Sequence, residues 1–180
     1  MARFNTQTNT WSTLGTGSSN GVSGFYPYVT ALAVDGQGNV FVGGSFTEAG
    51  GVSANNVARF NTQTNTWSTL GTGSSNGVSG GFVPAVYALA VVGNEVFVGG
   101  FFTEAGGVSA NRVARFNTLT NTWSTLGTGS SNGVNNTVAA LSVVGNEVVV
   151  GGFFTSAGGV SANRVARFKS KKPSRKSLKS

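Results

Sequence analysis

The twenty-three residues from Ala2 to Gly24, ARFNTQTNTWSTLGTGSSNGVSG, return unchanged from Ala58 to Gly80. A third copy starts at Ala114 and differs only at Leu119, Asn135 and Asn136, and Ala166-Arg167-Phe168 begins a fourth. Trp11, Trp67 and Trp123 recur every 56 residues, and the step from Ala114 to Ala166 is 52. A repeat of this size constrains the fold before anything else, because each unit must bury its apolar faces against its neighbours.

Each unit holds four short apolar runs divided by turn residues. In the first full unit the runs are 29–34 (VTALAV), 40–46 (VFVGGSF), 57–60 (VARF) and 66–70 (TWSTL). The turns between them are 35–39 (DGQGN) and 61–65 (NTQTN), and the stretch 47–55 (TEAGGVSAN) reads as a loop. Val, Phe, Trp and Thr favour strands, and clusters of Gly, Asn and Asp favour tight turns. No segment sustains a helical period, so the body is all-β. The first two runs are apolar on both faces, which places their sheet between neighbours rather than with one face in water. The Ala-rich first run suits a crowded position where sheets converge, and the polar fourth run suits an outer edge. Four strands per unit and sandwiched sheets describe a β-propeller of four-stranded antiparallel blades, 52–56 residues each. A β-solenoid is the second choice, although its repeats are usually shorter.

The expected organisation is three blades per chain, at 29–72, 86–128 and 138–168, with 2–16 as a partial blade and 169–180 as a disordered basic tail. Propellers have about four to eight blades, so three would not close alone. Closure is expected from oligomerisation: two copies giving a six-bladed ring, with the Thr10–Leu14 strand supplying the fourth strand of the partner's last blade. Four chains with partial blades, or a longer parent chain of the same repeats, are the alternatives. The Gly pairs 43–44, 99–100 and 151–152 are expected to admit neighbouring backbone or form bulges, not to cradle phosphate, since no helix follows them.

Composition narrows the chemistry. The chain has no Cys and no His, which removes disulfides, thiolate metal sites and the usual general base. The net charge of +7 divides unevenly. Lys169, Lys171, Lys172, Arg175, Lys176 and Lys179 lie in the tail, and the body is close to neutral. The acids are Asp35, Glu48, Glu95, Glu104 and Glu147. Repeated acids of this kind are usually solvated turn residues, and a single carboxylate at Asp35 supplies too few ligands for calcium. No metal, cofactor or catalytic residue is expected. No apolar run reaches membrane-spanning length, and no secretory leader is visible.

The repeats differ most where one blade connects to the next. That connection holds Phe25, Tyr26 and Tyr28 in one copy, Phe82 in the second, and only Asn135-Asn136-Thr137 in the third, where it also forms the one N-glycosylation sequon. It should share a face with the loop bearing Glu48 and Glu104. Aromatics in variable loops on a rigid frame, with Glu48 and Glu104 beside them, are candidate binding residues for an unknown protein or glycan. The tail lacks aromatics to stack on bases, so sequence-specific nucleic-acid binding is not expected, and it reads as a solubilising end, a targeting signal or a salt-sensitive tether to an acidic partner, nucleic acid or anionic membrane.

The stretch VFVGGSFTEAGGVSANNVARFNTQTNTWSTLG resembles kelch-type propeller repeats. It is most similar to the variant found in cortical polarity-marker proteins and related bacterial surface proteins, through its GG-x-F-T-x-A-GG spacing and downstream Trp. The resemblance spans 2–168 and implies blades with a binding or scaffold role and no catalytic residue. Kelch-type oxidases with a copper site would need His and a cross-linked Cys, and both are absent. The reading is therefore a non-enzymatic interaction or scaffold module. The alternatives are a carbohydrate-binding or hydrolytic propeller using the loop face, and attachment through the tail.

Overall fold

The computed structural model describes residues 1–145 and 147–169. The chain is all-β and builds radial sheets of the β-propeller kind. Strands β1 (Ala2–Asn5) and β2 (Thr10–Thr13) form a two-stranded hairpin. The first full blade is β3 (Tyr28–Val34), β4 (Asn39–Ser45), β5 (Val57–Asn61) and β6 (Thr66–Thr69), paired antiparallel in that order. The second repeats it with β7 (Ala85–Val92), β8 (Glu95–Phe101), β9 (Val113–Asn117) and β10 (Thr122–Thr125). The last has three strands, β11 (Val138–Val144), β12 (Glu147–Gly152) and β13 (Val165–Lys169). Strand β7 lies against both β3 and β11, so the Ala-rich first strands converge on the inside. The polar TWST strands lie at the outside.

Two differences from the sequence reading concern secondary structure. The stretch 47–55 is not plain loop. Glu48–Ala49 and Val52–Ser53 pair as a miniature hairpin, turned by Gly50 and Gly51 at φ 59° and 78°, a conformation open to glycine. The hairpin also pairs with Val22–Ser23, so the connection from the preceding blade becomes its third strand. Glu104–Ala105, Val108–Ser109 and Val78–Ser79 repeat the arrangement. The second difference is Lys169, which was expected in the tail. It ends β13, opposite Glu147, and pairs with its carboxylate at 2.9 Å. Lys171, Lys172, Arg175, Lys176 and Lys179 lie outside the described residues.

The glycine pairs do both jobs expected of them. A side chain at Gly43 would run into Val86 of the next blade, and one at Gly99 into Val138. A side chain at Gly44, Gly100 or Gly152 would strike the carbonyl of Tyr28, Ala85 or Thr137 on the strand alongside. There each inner strand is bulged, between Val29 and Ala31, Val86 and Ala88, and Val138 and Ala140. At Gly43 and Gly99 the first glycine thus lets two sheets touch, and at Gly44, Gly100 and Gly152 the second makes room for the bulge.

Neighbouring blades are also latched at their outer ends. The Trp67 indole N–H donates to the Leu14 carbonyl at 3.0 Å, and Trp123 donates to Leu70 at 2.9 Å. Each indole packs on a phenyl ring of its own blade, Phe60 or Phe116, with centroids 5.1 Å apart. A second latch is polar. The Asn55 N–H donates to the Asn76 side-chain carbonyl at 2.9 Å, and Asn111 to Asn132 likewise at 2.9 Å. Asn76 and Asn132 are buried, so these bonds also satisfy groups cut off from water. Three apolar clusters result, one centred on each blade-to-blade seam.

Candidate functional site

The topology sorts the connections between two faces. The tight turns 35–39 and 61–65 share one face. There the Asn61 carboxamide accepts the N–H groups of Gln63 and Thr64, both at 2.9 Å, and Asn65 takes a positive φ of 57°. The blade-to-blade connections and the miniature hairpins share the other. All the sequence-predicted site residues of the body, Phe25, Tyr26, Tyr28, Phe82, Glu48 and Glu104, lie on this second face.

The acids of this face have structural partners. Ser23 donates its hydroxyl to Glu48 at 2.9 Å, and Ser79 donates to Glu104 at 3.1 Å. Each carboxylate therefore ties the incoming connection to the hairpin while its residue stays exposed. In the third blade Ser156 replaces the acid, and the Asn135 carboxamide accepts the N–H groups of Thr155 and Ser156 instead, at 2.9 and 3.0 Å. The aromatics are not tied down in this way. Phe82, Phe25 and Tyr26 are 98%, 88% and 79% exposed. Phe25 and Tyr26 meet edge to face at 4.5 Å, and Tyr26 is held in the left-handed region at φ 52°, where bulky residues are rare.

Inside this rim is a mouth that sequence reasoning missed. Thr30, Tyr87 and Ala139 occupy the three bulge positions, and with Thr137, Phe101 and Phe153 they line a depression of about 560 Å³ where the inner strands begin. A bulge re-aims a side chain out of the pleat, which is how these residues come to face it. Thr30 also donates its hydroxyl to the Val86 carbonyl across the seam. Partial burial holds the Tyr87 phenol above its ordinary range, and the Tyr28 phenol beside it adds to the shift. Arg112 lies over the Phe101 ring, 5.5 Å from its centroid, as a cation–π partner. The signal for this mouth was present in the sequence. Between the recurring Val and Ala-Leu of the inner strand, one position reads Thr, Tyr and Ala in turn.

The other acids serve the opposite face. Burial alone would raise the Asp35 carboxyl, but the Asn39 side chain and the N–H groups of Asn39 and Gln37 outweigh it, Arg59 adds its charge, and the net shift is downward. Glu95 pairs with Arg115 at 3.1 Å. Glu147 is held below the usual carboxylate range first by its hydrogen bond with Lys169 and then by Arg167. Among the described residues, no three Asp or Glu side chains gather as a metal site would require. None of their helices is long and apolar enough to cross a membrane.

Radial four-stranded sheets, inner strands that converge and a mouth at the axis define a β-propeller repeat protein. Comparison with known families agrees. The family model described as a domain of unknown function (DUF5122) beta-propeller matches residues 38–63, 94–118 and 146–170, once in each repeat. Each match spans a second strand and the third strand paired with it. Among solved structures, the computationally designed Ika4 protein is 16% identical, with 82% of this chain and 94% of that one covered at a TM-score of 0.42. The computationally designed Ika8 protein is 19% identical, with 83% of this chain covered at a TM-score of 0.39, and this chain spans 48% of its length. No curated protein matches the chain.

Proposed function

We propose that this chain is a non-enzymatic interaction module, a β-propeller scaffold that offers its connection face to a partner. The observation that carries the reading is the exposure of Phe25, Tyr26 and Phe82 on short connections anchored to the sheets at both ends. Large exposed aromatics with few rotatable bonds contribute strongly when a partner covers them. The neighbouring mouth, with Tyr87, Phe101 and Phe153, extends the same aromatic surface towards the axis. The partner is a protein surface that seats these rings. The acids of the face support the frame, since Glu48 and Glu104 each accept a hydroxyl from the connection.

The test compares the parent with a variant carrying Ser at 25, 26 and 82, in affinity capture, on a glycan array and by thermal melting. Loss of a saturable protein partner with the melting midpoint retained supports the reading. Sugar binding lost through the same replacements assigns the face to a glycan instead. A large fall in melting midpoint with all binding retained makes the rings packing residues and overturns it.

A further inference from the structure

The last blade contains a seat for a tryptophan that no described residue fills. Trp67 sits among Leu14, Val42, Ala49, Ala54, Ala58 and Phe60. Two repeat units on, the same positions in the last blade are Leu126, Val150, Ala157, Ala162, Ala166 and Phe168. All six line a single cavity of about 380 Å³. Gly158 lines it too. At Gly50 and Gly106 an added side chain would collide with Trp67 and Trp123, whereas at Gly158 the nearest atom is the Ser131 carbonyl oxygen, 3.7 Å away. The acceptor is also in place. Leu14 and Leu70 each take an indole N–H, whereas among the described residues Leu126 carries only the backbone bond from Gly133 at 2.7 Å.

The matching plug stands exposed at the other end of the chain. Trp11 is 71% exposed, against 8% and 9% for Trp67 and Trp123. It already packs on Phe4 at the same 5.1 Å centroid distance as the two buried pairs. Among the described residues its strand, β2, pairs only with β1. The outer edge of β13 is unpaired among the described residues, where a counterpart of β10 would be expected, since β10 pairs with β9 in the second blade.

We propose that the cavity in the last blade receives Trp11 of a second copy of this chain, with β2 of that copy adding to β13 as the fourth strand. Trp11 then lies on Phe168, Thr13 opposite Ala166, and the indole N–H donates to the Leu126 carbonyl. Strand β1 is displaced, because β13 already fills the third-strand place. Two other contacts complete themselves by the same superposition. Val86 and Val138 are buried against Gly43 and Gly99, while Val29 is half-buried and Gly151 meets no residue of a following blade. Docking places Val29 of one copy on Gly151 of the other. It also places the exposed Asn20 beside the exposed Asn163, the pair that corresponds to Asn76 with Asn55. Leu32, Val34 and Val165, all exposed, are covered at the same seam. The occupant is a second copy because the surfaces to be matched are the chain's own internal seam, continued once more. Two copies make six blades, within the range of about four to eight that closes a ring, and three copies make nine, outside it.

Sedimentation velocity and iodide quenching of Trp fluorescence, each as a function of concentration, test this on the full chain. A dimer is expected, with the iodide-accessible fraction falling as it forms, since Trp11 is the exposed indole. Trp11→Lys removes the plug and Ala166→Phe fills the seat, and each is expected to weaken dimerisation at least about 30-fold, the loss typical of a central aromatic anchor. Circular dichroism confirms that each variant is folded. If Ala166→Phe does not fold, Gly151→Val, which obstructs the Val29 contact, takes its place. Mixing Trp11→Lys with the seat-blocked variant restores a heterodimer, because one supplies an open seat and the other a plug. The proposal is overturned if Trp11→Lys dimerises like the parent or if the mixture fails to associate. It is equally overturned by a monomer whose Trp11 is shielded at every dilution, since the chain would then have closed on itself.

Discussion

Replacing Trp123 separates the two parts of a blade-to-blade latch. Its ring is buried between Phe116, Gly106 and the preceding blade, so Trp123→Ala empties a large part of one seam. Truncation of a buried Trp costs about 3–5 kcal/mol, which is a large share of the roughly 5–15 kcal/mol that holds a domain folded. Trp123→Phe keeps an aromatic ring and removes the N–H. The acceptor is not orphaned by that change, because the Leu70 carbonyl also accepts the Gly77 N–H at 2.8 Å. The hydrogen-bond part therefore falls in the net range of about 0.5–1.5 kcal/mol rather than the larger penalty of a stranded buried group. Urea unfolding followed by far-ultraviolet circular dichroism measures both variants, with an unchanged m-value confirming that the same surface unfolds. If Trp123→Phe costs as much as Trp123→Ala, the hydrogen bond and not the packing holds the seam. If Trp123→Ala costs under about 1 kcal/mol, the seam is not a principal source of stability, and the reasoning from burial fails.

Three further outcomes follow from single contacts. Gly100→Ala drives a methyl group into the Ala85 carbonyl beside the bulge and should destabilise by about 1–3 kcal/mol, read from the denaturation midpoint. The Asp35 carboxyl is held below its ordinary value of 3.8, so its contribution is present above that value and is lost as pH falls through the lower folded value. Parent and Asp35→Asn should accordingly differ in melting midpoint at neutral pH and converge in acid, and a constant gap down to the lowest pH would refute the assignment. Glu147→Gln breaks two ion pairs whose cations, Arg167 and Lys169, are exposed, and should lower the melting midpoint only slightly, by less than Gly100→Ala does.

Much of this fold was legible because it is stated three times. The Trp recurrence defined the unit, the two-sided apolar runs defined a sandwiched sheet, and the Ala-rich strand pointed to the axis. The miniature hairpin at Glu48–Ser53 was not legible, since two-residue strands leave no periodicity and half their pairing comes from the preceding blade. Lys169 was misplaced for a related reason. By composition it belongs with the lysines that follow, but its strand is decided by the partner across from it, Glu147. The exposed rings at 25, 26 and 82 were found through divergence between copies. Tyr87 was hidden inside a strand, where only knowledge of the bulge shows that its side chain leaves the sheet.

The latches all join adjacent repeats and reuse the same residues from seam to seam, a Trp donating to a Leu carbonyl at the first two and an Asn pair at the last two. Cutting out 58–113 would splice Val57 to Ala114 and regenerate Val-Ala-Arg-Phe without disturbing the spelling on either side. Trp123 would then find Leu14 where it had found Leu70, and Val138 would meet Gly43 instead of Gly99. A gain of one unit is as conservative as a loss. Blade number in such a chain is therefore heritable in whole steps, through misaligned recombination between nearly identical stretches, with no intermediate that must survive a broken core.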